Sequence, residues 1–520
     1  MSQDPPYPPG LEWLLGRGTS TATVRERLAR FGQAQLINII LQMLSWITGL
    51  DGQIKDLQAR LSLHSGNSSL PPSSDGYQKR GRKPEPKPAP KSLRPKSGRR
   101  TGGQPGHPGV TLEKVEKPDH YEPCPLPKSC ACGRNLSGAT VKSTETRQVF
   151  DLPEPRPPEV TEYISDTVEC KCGRLHKAPF PAHVTQPTQY GPRLQATVAY
   201  LNEHQVVPYQ RTQQALQDLF GIHLSQGTIK NILHRAYLKL QDFEWRMIAL
   251  LITAGVVHFD ESGIRVLKKL YWLHVASTSK HTLFHVDERR GEEAMIKMGI
   301  LPHFNGKAVH DHWASYFKYE GCFHALCNAH HLRELIYAYE QYQQAWAHVL
   351  IECLLQANAE VIAAKAKGRS SLPPDRLQYY SERYSRILRS GCEELKSLPA
   401  PTKASEPEPG EEAPKKRGRK KQHKVKNLHD RLTQHKKGTL AFMYDFDVPF
   451  TNNQGERDIR WSKVKQKVSG CFRSILGAEM FARLRSYTST AIKQGFNPMG
   501  ALVALFTGDN AFIRRLTERR

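Results

Sequence analysis

Three acidic residues stand where a carboxylate could take part in chemistry. Asp260 lies in the apolar stretch VVHFDES, Asp311 ends the stretch KAVHD, and Glu456 follows TNNQG at the start of a helical pattern. A charge on an apolar strand is costly to bury without a partner. Carboxylates that converge from strand ends and a helix start suit Mg²⁺. Two such ions can stabilise both oxygens exchanged in a phosphodiester displacement, so these residues are candidate metal ligands.

Each of these acids also has a structural explanation. Asp260 could be a strand-end turn residue, and Asp311 and Glu456 could be helix-cap residues. Asn453, with Glu456 three residues later, has the spacing of a capping box. Glu261 could replace Asp260 as a ligand, although adjacent strand residues face opposite sides, so only one of the two can point into a site. Spacing alone leaves the choice open.

Basic residues form three groups in the chain. One group follows Glu456, and the two others lie in KRGRKP and KKRGRKK. The Arg-Gly-Arg form of these two suits a narrow minor groove of DNA. The alternative is that they belong to a solvated, flexible linker. Lys and Arg outnumber Asp and Glu by 75 to 50, a net charge of +25 that favours phosphate backbones as partners. The predicted DNA-binding residues are Arg80, Arg82, Arg417, Arg419, Arg457 and Arg460, with Lys463, Lys465 and Lys467 as further cations near Glu456.

Five of the ten cysteines fall between Cys124 and Cys172, where CACGR and CKCGR repeat one unit. In a large intracellular chain such a cluster suggests metal before disulfides. Structural zinc usually takes two Cys-x-x-Cys pairs, and each pair here is one residue shorter, but residues two apart share one face of a strand. The predicted zinc ligands are Cys130, Cys132, Cys170 and Cys172, and Cys124 is an alternative partner for Cys130 or Cys132.

The elements that must position these residues follow from periodicity. Apolar residues spaced alternately by four and three from Leu36 to Leu61 predict a coiled-coil seam, with packing against the chain's own core as the alternative. Residues 65–118 are rich in Pro, Gly, Ser and Lys and predict a disordered linker. LQDLFGIHLSQGTIKNILHRAY is similar to a helix-turn-helix, although a plain helical pair is the commoner structure. The rest of the pattern predicts three strands from AGVV onward and a fourth strand that ends at Asp311 and passes into a helix. It also predicts helices from Leu332 to Lys396.

Several motifs in order resemble one family. HFDES, GKAVHDHWASY, CNAHHLREL and VPFTNNQGERDIR resemble the transposases of the IS66 family of bacterial insertion sequences, as do NSSLPPSSD, GGQPGHPG and the cysteine cluster. The resemblance implies a ribonuclease H-like domain, interrupted by a helical insertion, with a DDE triad of Asp260, Asp311 and Glu456. It also implies two Mg²⁺ ions, hydrolysis that frees a 3′-hydroxyl, and attack of that hydroxyl on target DNA.

The chain departs from the family's commonest pattern at three positions. Ser262 stands where Thr is usual, and His312 and Trp313 follow the second Asp in place of small or other aromatic residues. The family shows a Cys-x-x-His similar to Cys327 and His330, which share a helix face. A buried cysteine beside a polar histidine is the simpler interpretation of that pair, and we assign no metal to it.

These observations predict a multidomain α/β protein. The divisions are an N-terminal helical and coiled-coil segment (1–64), a basic linker (65–118), a zinc-binding domain (119–180), a helical, potentially DNA-binding region (181–248), a ribonuclease H-like domain in two parts (249–331 and 446–478), a helical insertion with a basic linker (332–445) and C-terminal helices (479–520).

The predicted function is DNA transposition by a DDE transposase with Mg²⁺ and structural Zn²⁺. The alternatives are a catalytically inactive DNA-binding or regulatory protein and a nuclease unrelated to transposition. Expected partners are the element's terminal repeats, target DNA, further copies of the chain through the coiled coil, and small accessory proteins of the same element. No apolar run long enough to span a bilayer and no signal-peptide segment is evident, so we expect a cytoplasmic protein without a membrane partner.

Overall fold

The structure is a computed structural model that describes residues 21–61, 112–154, 157–181, 184–398 and 422–518. It divides into two units, one comprising Lys79–Thr161 with Leu216–Ile222 and the other comprising the rest of the chain. The predicted disordered linkers, and with them Arg80, Arg82, Arg417 and Arg419, lie outside the described residues.

Two helices form the described N-terminal segment, α1 (Thr21–Leu28) and α2 (Gln33–Leu61). The predicted seam lies on α2, which confirms the helix. Ile40, Ile47 and Ile54 on this seam are each more than half exposed. A long helix with its apolar residues in water gains little from its own chain. Association of α2 with another copy therefore stays a prediction, and the exposed seam supports it.

Self-association through α2 can be tested with single substitutions. Ile40→Asp and Ile47→Asp place charges on the seam and are expected to shift the full-length protein to a smaller assembly, measured by light scattering. Leu41→Asp is the matched control, because Leu41 is 57% exposed on α2 but lies off the seam. An unchanged assembly in both seam variants would contradict the coiled coil.

The region that precedes the large sheet is helical, as predicted. Its helices are α3 (Pro192–Ala199), α4 (Tyr209–Phe220), α5 (Gln226–Lys239) and α6 (Gln241–Ile252), and a π-helical turn, Tyr200–His204, follows α3. Ser225 caps α5, since its hydroxyl accepts a hydrogen bond from the Thr228 amide at 3.0 Å. The two helices of the helix-turn-helix pattern therefore exist, and their contact with DNA stays a prediction.

A five-stranded mixed sheet forms the centre of the larger unit. Its strands are β3 (Val256–Val266), β4 (Lys269–Ser277), β5 (Thr282–Asp287), β6 (Lys307–His310) and β7 (Phe323–Leu326), in the order β5-β4-β3-β6-β7. The β3–β4 and β4–β5 pairs are antiparallel, whereas the β3–β6 and β6–β7 pairs are parallel. Helix α7 (Glu292–Met298) connects β5 to β6. The three strands predicted after residue 254 are confirmed.

Two details of this region differ from the sequence-based expectation. The chain does not pass into an α-helix after Asp311 but forms a loop and a short 3₁₀ turn, Tyr316–Lys318. It then forms β7, which was not predicted. Four residues, Phe323–Leu326, are too few to show a period before the helical pattern of CNAHHLREL begins.

The insertion between β7 and the last part of the domain is helical, as predicted. Its helices are α8 (Asn328–Tyr342), α9 (Ala345–Ala366), α10 (Pro374–Glu394), α11 (Lys424–Gln434) and α12 (Lys436–Tyr444). By length and composition alone, α9 is apolar enough to cross a membrane. Trp346, Leu350 and Leu354 of this helix are buried in the apolar core of the insertion.

Four helices complete the chain, α13 (Asn453–Ser469), α14 (Ile475–Lys493), α15 (Pro498–Thr507) and α16 (Asn510–Leu516). Helices α13 and α14 pack on the apolar face of β3–β5 through residues such as Ile459 and Phe481. The hydroxyls of Ser486 and Thr490 on α14 accept hydrogen bonds from the Phe284 and Thr282 amides of β5. These contacts fix α13, and therefore Glu456, against the sheet.

A pair of short strands, β1 (Thr167–Glu169) and β2 (Leu175–Lys177), lies earlier in the chain and encloses the second cysteine pair.

Candidate active site

Strand pairing brings Asp260 and Asp311 to the same edge of the sheet. The parallel register joins His258 of β3 to Val309 of β6, and each aspartate lies two residues further along its chain. Asp260 Oδ1 accepts the Glu261 amide hydrogen at 2.9 Å, and Asp311 Oδ1 accepts the amide hydrogen of Trp313 at 2.8 Å. Asp260 lies within β3 and not at a strand end, whereas Asp311 directly follows β6, so the two carboxylates are neighbours on adjacent parallel strands.

Helix α13 brings Glu456 to these aspartates through Asn452. The buried Asn452 side chain bonds His258 Nδ1 at 2.7 Å and donates to the Phe259 carbonyl at 2.8 Å, both on β3. Gly455 lies so close to β3 that a Cβ there would stand 3.4 Å from Asp260 Cβ. The first turn of α13 is thus seated beside Asp260.

The capping-box interpretation of Glu456 is wrong. Asn452, not Asn453, is the N-cap of α13, and its side chain makes no capping hydrogen bond because it is engaged with β3. Glu456 therefore stands one position too late to close a box with the cap residue. The Glu456 side chain therefore does not cap the helix, and it is 30% exposed.

The electrostatics of the site are those of crowded like charges. Burial, followed by the charges of Glu261, Asp311 and Glu456, raises the pKa of Asp260 well above its usual value. Burial and the Glu261 charge raise the pKa of Asp311 to about 6. A bound cation would compensate these charges and favour the ionised carboxylates. The donor set of three neighbouring carboxylates therefore fits Mg²⁺.

Glu261 is not free to replace Asp260. Its side chain is 1% exposed, and Arg290 lies 2.6 Å from Oε1 while the Tyr316 hydroxyl donates to Oε2 at 2.6 Å. The Arg290 guanidinium stacks 4.9 Å from the Trp272 ring and 3.9 Å from the Trp313 ring. Both carboxylate oxygens of Glu261 are thus engaged by Arg290 and Tyr316, and its negative charge raises the pKa of both aspartates.

The residues that follow Asp311 have structural partners. His312 Nδ1 and His331 Nε2, on α8, are 2.8 Å apart, and Trp313 both bonds Asp311 and stacks on Arg290. Next to them, His310 Nε2 lies 2.9 Å from His324 Nδ1. These contacts hold the loop after β6, so the two departures from the family pattern fit the assigned position of Asp311.

Three residues surround Glu456 on the side of α8. Cys327 Sγ, His330 Nδ1 and Arg333 Nη2 lie 4.0, 3.7 and 3.7 Å from Glu456 Oε1. Sequence reasoning noted Cys327 and His330 but missed Arg333, although its three-residue step from His330 on α8 could have found it. Within the described ranges, the ligand atoms of Cys327, His330 and Glu456 form a group within 4.8 Å of one another, and no such group includes Asp260 or Asp311.

The cations of α13 have different surroundings. Arg457 and Arg460 are exposed, as expected of residues that contact DNA. Lys463 donates to the Gly263 carbonyl at 3.0 Å, and Lys465 is buried 5.9 Å from the Phe472 ring centroid. Because Lys465 is buried, the expectation that it holds a polyanion is wrong, whereas for the half-buried Lys463 and the exposed Lys467 it stays a prediction.

The two cysteine pairs form the same turn. The Cys130 amide donates to the Arg134 carbonyl and the Cys170 amide to the Arg174 carbonyl, each at 2.9 Å. Glycine follows the second thiol of each turn with φ of 84° at Gly133 and 82° at Gly173. All four thiols of these pairs are exposed, and hydrogen bonds within each turn lower the pKa of Cys130 and Cys170. Each turn presents two sulfur atoms, and their union in one zinc site stays a prediction.

Comparison with known proteins agrees with this geometry. A family model described as "Transposase IS66 family" matches residues 187–480, which is more than half of the chain and includes all three carboxylates. Residues 22–113, which include the coiled-coil helix, match a separate family of unknown function, DUF6444, and both cysteine pairs lie between the two matched ranges. No match to a curated protein was found. The chain belongs to the IS66 family of transposases.

Proposed function

We propose that the protein is a DDE transposase that cuts and joins DNA at the ends of an insertion sequence, using Asp260, Asp311 and Glu456 to hold catalytic Mg²⁺. The single observation that carries the proposal is the meeting of β3, β6 and the first turn of α13 around three carboxylates. Structural needs do not account for Asp260 and Asp311, because burying them side by side raises their pKa values and costs stability.

A ribonuclease H-like architecture is part of this proposal. Three antiparallel strands followed by two parallel strands, with the order β5-β4-β3-β6-β7, support it. So does the helical insertion between β7 and α13, which separates Glu456 from the two aspartates.

The residues of this chain have distinct tasks in the reaction. Mg²⁺ bound at the carboxylates supplies activation of the attacking oxygen and stabilisation of charge on the leaving oxygen. Asp260 and Asp311 hold their oxygens in place through hydrogen bonds from the Glu261 and Trp313 amides. Arg457 and Arg460 lie on the exposed side of α13, next to Glu456, where they can neutralise DNA phosphates. The first reaction is hydrolysis at the element's end, and the freed 3′-hydroxyl then attacks target DNA.

The proposal is tested with DNA taken from either side of the gene. Labelled duplexes that carry the element's ends are incubated with the protein and Mg²⁺, and we expect cleavage that leaves a 3′-hydroxyl, followed by joining to a second duplex. A scrambled end of equal length is the control. Specific binding without any cleavage would instead favour a catalytically inactive DNA-binding protein. Because the substrate is the element's own DNA, the proposal implies a cytoplasmic location.

A structural zinc site formed by Cys130, Cys132, Cys170 and Cys172 is a second part of the proposal. The matching turns and the exposed thiols support it. We expect the zinc content of the purified chain to fall by one ion in Cys130→Ser and in Cys170→Ser alike, because each variant lacks one of the four thiolates of the site. Cys124→Ser is the matched control and should keep its zinc. Full zinc content in the Cys170→Ser variant, or its loss in the control, would contradict this ligand set.

A further inference from the structure

The cluster of Cys327, His330 and Glu456 has a different chemistry from the three catalytic carboxylates. A thiol, an imidazole and a carboxylate are the ligands that Zn²⁺ and similar ions prefer, whereas Mg²⁺ prefers oxygen alone. Cys327 is the N-cap of α8 and His330 stands three residues later, so both side chains face the start of α13.

The histidine of this cluster has an unused ligand atom. His330 Nδ1 is buried, has no hydrogen-bond partner in the described part of the chain, and lies 3.7 Å from Glu456 Oε1. A buried polar atom without a partner is costly, and an ion bound together by this atom and the two other ligand atoms would supply one. The Cys327 sulfur accepts the Asn452 amide hydrogen at 3.1 Å, and such a bond favours the thiolate.

We propose that Cys327, His330 and Glu456 form a site for a thiophilic divalent cation such as Zn²⁺, and that an ion bound there withdraws Glu456 from the catalytic Mg²⁺. The second half of this inference rests on the proposed function. Ligand atoms around tetrahedral zinc are roughly 3.5 Å apart, given bond lengths of about 2.0–2.3 Å. The sulfur–oxygen distance of 4.0 Å and the nitrogen–oxygen distance of 3.7 Å need only a small contraction.

Binding exchanges a proton for the ion. The thiol proton of Cys327 leaves to solvent, and sulfur, Nδ1 and Oε1 each donate an electron pair, with no change of oxidation state. Because binding releases a proton, zinc affinity should fall as pH decreases, and Mg²⁺, a hard cation, should leave the thiol protonated. The site should therefore bind Zn²⁺ and similar ions but not the catalytic Mg²⁺.

Binding is measured on the full-length protein with Co²⁺, whose bond to a thiolate gives a charge-transfer band in the near ultraviolet. We expect wild type to take up one equivalent more than Cys327→Ser, and the difference spectrum to contain that band. Cys353→Ser, which removes a buried cysteine of α9, is the matched control and should behave as wild type. Identical Co²⁺ uptake by wild type and Cys327→Ser would overturn the site, whatever the catalytic role of Glu456.

Competition with Mg²⁺ is measured as zinc inhibition of strand cleavage, with each variant normalised to its own zinc-free rate. Wild type and Cys353→Ser should be inhibited, and Cys327→Ser should need at least about tenfold more zinc, since it loses the thiolate. Equal inhibition of all three proteins would overturn the competition. A wild-type protein without Mg²⁺-dependent cleavage would refute the proposed function, yet the Co²⁺ difference would still decide the site.

Discussion

Asp260→Asn and Asp311→Asn should each abolish strand cleavage in Mg²⁺ without loss of DNA binding. Asparagine keeps the shape and the hydrogen bond from the Glu261 or Trp313 amide, but it brings no negative charge to the metal. Loss of about 4 kcal/mol of transition-state stabilisation corresponds to about 10³-fold in rate. The measurement is single-turnover cleavage of an end-bearing duplex, together with a binding titration of the same DNA.

Arg457 and Arg460 supply the contrast for this prediction. Both are exposed on α13, and substitution by Ala should weaken DNA binding and reduce its dependence on salt. Cleavage at saturating protein should be affected far less than in the aspartate variants. Cleavage within a few-fold of wild type by Asp260→Asn or Asp311→Asn would mean that these residues do not hold the catalytic metal.

Asp311→Asn should also stabilise the protein in Mg²⁺-free buffer at pH 8. The folded-state pKa of Asp311 is raised to about 6, above an unfolded value of about 3.9. A carboxyl with a raised folded-state pKa costs nothing below pH 4, where it is protonated in both states. The cost grows between pH 4 and 6 and is complete above pH 6. About two pKa units correspond to at most about 3 kcal/mol, which the neutral Asn side chain avoids.

The corresponding measurement is the melting temperature of wild type and Asp311→Asn at pH 4 and pH 8, without a chelator that would remove zinc. We expect the variant to melt higher at pH 8 and equally at pH 4. Saturating Mg²⁺ should stabilise wild type more than the variant and so reduce or reverse the difference. Asp447→Asn, at an exposed aspartate, is the matched control and should show no such pattern. A wild type as stable as the variant in Mg²⁺-free buffer at pH 8 would contradict the crowded-charge description.

Much of the scaffold could be predicted from sequence because its signals are local. The apolar, β-branched residues of β3 to β5 predicted three strands, and the long helical patterns predicted α2 and α8 to α10. Asp260 was identified as a candidate ligand from its place on an apolar strand and Asp311 from its place at a strand end, and the register of β3 and β6 brings them together. The family resemblance gave these positions one common function.

Contacts between distant parts of the chain could not be predicted in the same way. From the sequence alone, Asn452 is a typical turn or cap residue. Its hydrogen bonds to His258 and Phe259 of β3 show that it anchors α13. Glu261 and Lys465 read as free charges, because the partners that bury them lie 29 residues away or on another helix. A charge in sequence thus shows that a partner is needed, but the fold decides which one.

Glu456 gives the most direct test, because its carboxylate belongs both to the proposed Mg²⁺ site and to the cluster with Cys327 and His330. The measurement is the single-turnover rate of end cleavage in Mg²⁺ by Glu456→Gln, beside Glu320→Gln as an exposed control. Glutamine keeps the length of the side chain and still places an oxygen near Arg333, whose Nη2 lies 3.7 Å from Glu456 Oε1. We expect the variant to bind DNA with cleavage reduced about 10³-fold, and the control to cleave at the wild-type rate. Cleavage by Glu456→Gln at the wild-type rate would contradict it.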